Sequence, residues 1–183
     1  MKTHSLTVVT GAIKNSFGLV SGAAKGRTHT CAPRLEDFGD VLADIYAIRP
    51  PDLTIMDGVV AMEGSGPSAG RLKPLGKILA STNGVALDAV MCRIMGIAPE
   101  EIHHIRRAHQ KGLGPIDGAA IETIGQMPGN SFKLPVTIHR VGFLGRLLNQ
   151  GLFRPVARAR LRLEKRLCQK CKICLQGCPT GAM

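Results

Sequence analysis

Near its carboxyl end the chain carries Cys168-x-x-Cys171-x-x-Cys174-x-x-x-Cys178-Pro179, four of its six cysteines within eleven residues. Thiols this close in sequence suit shared coordination of a metal centre better than a framework of disulfides, and that places the chain in a reducing compartment. Soft, anionic sulfur matches iron and offsets its charge. Two intervening residues let successive thiolates wrap the corners of one cubane, so Cys168, Cys171 and Cys174 are expected to share a single [4Fe–4S] cluster, with Lys170 and Lys172 offsetting its negative charge.

Zinc is the competing reading. Zinc sites pair two C-x-x-C arms across a longer spacer, whereas a ladder at x2, x2, x3 followed by proline is the arrangement of bacterial ferredoxins. In two-cluster ferredoxins the fourth cysteine serves the other cluster, whose remaining ligands come from a second, similar run. Here Met183 follows five residues after Cys178. The expectation is that a second half-ferredoxin lies outside this chain, with Cys178 serving that cluster. The alternative is an unusual fourth ligand, drawn from Cys31, Cys92 or Cys178.

The body of the chain has the means to fold around one core. It has 183 residues, 44% of them hydrophobic, with five Phe, one Tyr and no Trp, so the core is built from aliphatic side chains and Met. So few aromatics leave little for stacking nucleobases, and no nucleic-acid partner is expected. There is no signal-like amino terminus and no run of eighteen apolar residues, which predicts a cytoplasmic protein without a transmembrane segment. The net charge of +11 is concentrated: residues 139–172 hold ten Lys or Arg against one acid, Glu164. That basic segment, interrupted by Gly151 and Pro155, reads first as a linker, then as a docking surface for an acidic redox partner, and last as a membrane-surface element.

Along the chain, Leu6–Thr10 reads as a strand, followed by a glycine-containing loop up to His29. Leu35, Phe38, Val41, Leu42 and Ile45 fall on one face of a helix that Arg49-Pro50-Pro51 stops. Leu53–Met56 is expected to be a strand ending at Asp57-Gly58, and a loop from Glu63 to Gly70 leads to a further strand near 77–80. Val85–Met95 predicts a buried helix closed by Gly96, and Pro99 opens another that Gly112 closes. Residues 121–124 and 134–138 are candidate short strands. Alternation of this kind predicts an α/β layer with a mostly parallel sheet, followed by an incomplete ferredoxin-like segment. The expected organisation is an α/β domain over 1–138, a basic linker over 139–166 and the first half of a ferredoxin-type domain over 167–183.

Functional groups gather beyond the carboxyl ends of parallel strands, which singles out Lys14, His29, Asp57 and Glu63 as candidates for one pocket, with His4 upstream. Lys14 and His29 would form its cationic end. Asp57 and Glu63 are candidate acid–base or cation-binding groups, and the bland reading of Asp57-Gly58 is a turn. Asp88 stands inside Val85–Met91. A buried carboxylate there requires a cation, a metal or hydrogen-bond donors, either at a site or as a structural clamp on backbone amides. His103, His104 and His109 form no i, i+4 pair and read as a solvated face.

Several phrases taken together carry a resemblance: Lys2-Thr3-His4, Gly11-Ala12-Ile13-Lys14-Asn15-Ser16-Phe17-Gly18, His29, Met56-Asp57-Gly58 with Ala61–Gly70, and Ala86-Leu87-Asp88-Ala89. Over about residues 1–125 the chain resembles the domain of unknown function 362 (DUF362) family, many members of which end in a ferredoxin-type double cluster. The phrase around Lys2 normally lies well inside that domain, so the resemblance implies a chain truncated at both ends. Asn83 departs from it, standing where an aspartate is expected. The resemblance supplies no reaction. The residues themselves lead to an iron–sulfur protein that passes electrons to or from a site in the α/β domain, an oxidoreductase if it is an enzyme. The alternative is a ligand- or partner-binding domain with a structural or regulatory cluster.

Overall fold

The structure is a computed structural model that describes residues 1–32, 34–127, 132–135, 168–169 and 171–172. The chain divides into two units, Met1–Arg140 and Val141–Met183. Of the candidate strand at 134–138, residues 134 and 135 are not in a strand; 136–138, the linker 139–166, Cys174 and Cys178 lie outside the described residues.

The first unit is a mixed α/β fold. Its strands are β1 (Lys2–His4), β2 (Val8–Thr10), β3 (Thr54–Glu63) and β4 (Arg71–Ser81), and its helices are α1 (Ala12–Asn15), α2 (Gly22–Cys31), α3 (Leu35–Ile48), α4 (Gly84–Ile94) and α5 (His103–Gln110). The sheet order is β2-β1-β3-β4. β1 runs antiparallel to β2 with Thr3 opposite Val9, parallel to β3 through Lys2 and Met62, and β3 runs antiparallel to β4 from Thr54↔Ser81 to Glu63↔Arg71. The sheet is therefore mostly antiparallel, which corrects the parallel expectation. The cause is connection length. Residues 5–7 and 64–70 join neighbouring strands directly, and both loops are shorter than the roughly dozen residues that a parallel crossover needs.

Further differences have local causes. β3 continues through Asp57-Gly58 to Glu63, with a register shift between Gly58 and Val60 that absorbs the glycine inside the strand instead of ending it. The expected loop before His29 contains α2, a helix of polar and small residues without an apolar stripe. Residues 121–124 are not a strand. The helix expected from Pro99 begins as a single 3-10 turn, Pro99–Glu101, before α5.

The helices bury the faces that their spacing predicts. α3 turns Phe38, Leu42, Ala43 and Tyr46 inward, with Glu36 and Asp37 in its first turn complementing the helix dipole. α4 is buried almost all round and includes Asp88. Its amino terminus is fixed by Asn83, whose Oδ1 accepts from the Val85 and Ala86 amides at 3.0 Å each while its Nδ2 donates to the Leu113 carbonyl at 3.0 Å. The side chain uses both ends of its amide, and a carboxylate has nothing to donate. Tyr46 Oη completes the cap by accepting from the Gly84 amide at 3.1 Å.

Asn83→Asp is therefore expected to lower stability by about 1 kcal/mol in a urea melt at pH 7, because a carboxylate facing the Leu113 carbonyl offsets the favourable helix-dipole interaction. An unchanged or higher midpoint would show that the Leu113 contact contributes nothing.

Candidate functional site

Asp88 is fully buried on α4. Its Oδ1 accepts from the Ala12 amide at 2.6 Å and its Oδ2 from the Ile13 amide at 3.0 Å. These are the first two amides of α1, so one carboxylate satisfies donors that the helix itself leaves unpaired. Gly11 makes the approach possible, since a Cβ at that position would collide with the carboxylate. Burial raises the Asp88 pKa to about 7, and the two amide hydrogen bonds oppose that rise.

The other candidates separate into two places. His4, Lys14 and His29 come together in one cationic neighbourhood with Lys2 and Lys25. Burial holds the His4 pKa down at about 4, helped by Lys14, Lys2 and His29. Burial likewise lowers the Lys14 pKa, and the charges acting on it are Lys2 and Lys25. His4 Nδ1 accepts from the Leu6 and Thr7 amides at 3.1 and 3.3 Å, which fixes the neutral tautomer with its proton on Nε2. His29 stacks on Phe38 with ring centroids 4.6 Å apart, and Phe17 meets it edge-on at 5.6 Å.

Asp57 and Glu63 are not part of that neighbourhood's hydrogen bonding. Asp57 is exposed within β3, where its Oδ1 accepts from the Val59 amide at 2.8 Å and its carbonyl receives the Met1 ammonium at 2.5 Å. Glu63 is buried at the far end of the strand. Its Oε2 accepts from the Lys133 amide at 3.1 Å and lies 3.6 Å from Lys73 Nζ, and these contacts, the amide first, hold its carboxyl below the usual range. Glu63 thus pins residues 132–135 to the sheet. Among the described residues no group of three His, Cys, Asp or Glu is placed to hold a metal ion.

Sequence reasoning missed a further residue. His104 is not on a solvated face but is 2% exposed, packed with Ile105 and Ala108 on the inner side of α5. Burial first, then His103, Lys14 and His4, lower its pKa to about 3, so its ring is neutral. Its Nε2 is buried without a hydrogen-bond partner among the described residues, and the residue lines a cleft of about 290 Å³ between the β1–β2 turn, α3 and α5. The signal was present in the spacing, since His104 precedes Ile105 and stands four residues before Ala108 on a helix with one buried face. His103 is half-buried, with Nε2 3.0 Å from Asp40 Oδ1, and His109 is exposed, with Nδ1 2.9 Å from the Gly114 carbonyl.

Residues 1–93 match the family model described as Domain of unknown function (DUF362). The chain belongs to the DUF362 family. A thylakoid-associated protein of Synechocystis sp. is 34% identical over 147 residues, an overlap covering 78% of this chain and 46% of that relative. The chain thus spans about half the length of that relative. No solved structure matches it. Among the described residues, no helix is long and apolar enough to cross a membrane.

Two pH effects follow. Asp88 has a folded pKa above its unfolded value, so its contribution to stability is fully present below about pH 4 and is lost as pH rises through about 7. Asp88→Asn should therefore destabilise by roughly 1–3 kcal/mol at pH 5 and by less at pH 8, read from urea midpoints; a penalty that grows with pH would contradict the assignment. His4 is the opposite case. Its depressed pKa means that its contribution is present above pH 6.5 and is lost as pH falls toward about 4. His4→Asn, which keeps an acceptor for the Leu6 and Thr7 amides, should lose less stability than the wild type between pH 7 and pH 4.5, and an identical loss would contradict this.

Proposed function

We propose that this DUF362 member is an iron–sulfur redox protein, in which a [4Fe–4S] cluster bound by Cys168, Cys171 and Cys174 exchanges electrons with a site in the α/β unit. The observation that carries the reading is the ligand ladder in the sequence, at spacings that suit a cubane and not a zinc site. Its donor chemistry fits what is described of the segment. Cys168 and Cys171 are free thiols, half-buried and exposed respectively. Lys172 follows with φ 61, a left-handed residue of the sort that curls a loop and points its amides inward. When bound, the cluster supplies one-electron exchange at low potential. The protein's own part is to position the thiolates, donate loop amides to sulfur and place lysines nearby.

In this reading Cys178 serves a second cluster, 1–138 is the α/β domain, 139–166 the linker and 167–183 the first half of a ferredoxin-type domain. The ten cations of 139–172 favour an acidic redox partner. We place the chain in the cytoplasm. The Synechocystis relative is described as thylakoid-associated, and a comparable association of this chain would run through such a partner. One observation favours the second reading, a ligand-binding domain with a structural cluster: a cleft of about 290 Å³ lies between the β1–β2 turn, α3 and α5.

Anaerobically purified full-length protein should contain iron and acid-labile sulfide in nearly equal amounts and show a broad visible band that dithionite bleaches and reoxidation restores. Cys171→Ser should lose most of the iron. Zinc in place of iron would overturn the proposal, and an iron-containing but irreducible centre would leave the structural reading standing in its place.

A further inference from the structure

Five basic side chains meet on one side of the α/β unit. Lys2 and His4 stand two residues apart on β1 with Thr3 buried between them, so their side chains leave the same face of the strand. Lys14 of α1 acts on His4 and is itself acted on by Lys2 and by Lys25 of α2. Lys25 Nζ lies 5.9 Å from the centre of the Phe17 ring, and the same ring meets His29 at 5.6 Å, which brings the two basic residues of α2 to one place. Lys2, His4, Lys14 and Lys25 are half-buried and His29 is exposed. Neither Lys14 Nζ nor His4 Nε2 is among the buried, unpartnered polar atoms, and both remain open to a ligand from solvent.

The charge gathered there is uncompensated. Elsewhere Arg34, Arg49, Lys73, Arg107 and Lys111 each meet a carboxylate at 2.7–3.6 Å. Among the described residues no acid pairs with Lys2, Lys14 or Lys25, although twelve of the chain's thirteen acids, all but Glu164, are described. Asp57 and Asp88 act on the Met1 ammonium, but they accept from the Val59, Ala12 and Ile13 amides and pair with no lysine. Like charges held partly out of water are poorly screened, and an anion drawn from solvent relieves their repulsion.

We propose that Lys2, His4, Lys14, Lys25 and His29 form a binding site for a phosphate group. The three lysines supply the charge that a dianion requires, as flexible point charges that settle around its oxygens. His4 adds a directional donor: its Nδ1 is occupied by the Leu6 and Thr7 amides at 3.1 and 3.3 Å, which leaves Nε2–H for the ligand. His29 is held in place by Phe38, on which it stacks at 4.6 Å. Donors that come from β1, α1 and α2 exceed what the two oxygens of a carboxylate can engage, and they suit a tetrahedral oxyanion. A free ion and a phosphomonoester share this chemistry. The site is independent of the cysteine run, and protein that has lost its iron should bind phosphate equally well.

Full-length protein labelled with ¹⁵N-histidine should be titrated at constant ionic strength with inorganic phosphate, with glycerol 3-phosphate and with acetate, while the histidine ring signals are followed. Both phosphates should shift the His4 and His29 signals and leave that of the exposed His109 in place, and acetate should move none of them. The tighter of the two phosphates identifies the source, free ion or ester, and either order upholds the site. Lys14→Gln should weaken phosphate binding by about tenfold, the equivalent of one lost charge-assisted contact. Lys25→Gln should weaken it as well, which keeps the test decisive if the Lys14 variant folds poorly. Arg49→Gln, the same change of charge beyond the end of α3, should bind as the wild type does. The proposal is overturned if phosphate leaves the His4 and His29 rings unmoved, if acetate shifts them equally, if both lysine variants bind as tightly as the wild type, or if Arg49→Gln weakens binding as much as they do.

Discussion

The amino-terminal half of the α/β unit depends on one buried carboxylate. Asp88 crosses from α4 to the start of α1 and takes the Ala12 and Ile13 amides on its two oxygens. A charge in that position, with no ion pair among the described residues, costs several kcal/mol, and two backbone donors return only part of this. The balance is a carboxyl whose pKa burial raises to about 7, tolerated because α1 is too short to stabilise its own first turn. Gly11 is the matching concession on the other side, where any side chain would displace the carboxylate.

Once α1 is anchored, the placement of the other groups follows. Lys14 is carried toward Lys2 and His4 on the neighbouring strand, and α2 adds Lys25 and His29 to the same side. Basic groups are thereby crowded together and partly buried, which holds His4 and His104 neutral at ordinary pH. β1, β2 and the turn between them are fixed to Gly66 and His4, and this turn forms one wall of the cleft that α5 closes with His104. The cationic neighbourhood and the cleft are two sides of one arrangement, with His104 between them.

What the sequence made legible was whatever local pattern controls. α3 could be read from Leu35, Phe38, Leu42 and Ile45, and α4 from its nearly continuous apolar run, because helical burial imprints a period. The demand that Asp88 be met by donors was also visible, though not their identity, because the partners lie 75 and 76 residues away. Strand direction was not legible. Glu63–Gly70 reads equally as a loop beyond a parallel strand or as a hairpin connection, and only the pairing of Glu63 with Arg71 decides between them. α2 was missed because Gly22–Cys31 lacks an apolar stripe, and His104 because adjacent histidines suggested a polar face. The five expected site residues do not converge: Asp88 holds α1, Glu63 holds residues 132–135, Asp57 is exposed, and Lys14 and His29 share the basic side with His4.

The role proposed for the cysteine run rests on the chemistry of its sequence rather than on packing. Cysteines at these intervals, lysines between them and a proline at the end would, in the proposed reading, act as a local device that carries its own specificity, much as a metal-binding loop does in any fold that bears it. The central claim is that this device holds a redox-active cubane. The most direct measurement is electron paramagnetic resonance of the dithionite-reduced full-length protein prepared without oxygen. The account predicts the low-temperature signal of a reduced [4Fe–4S] cluster in stoichiometric amount, and a silent spectrum from protein containing stoichiometric zinc would contradict it.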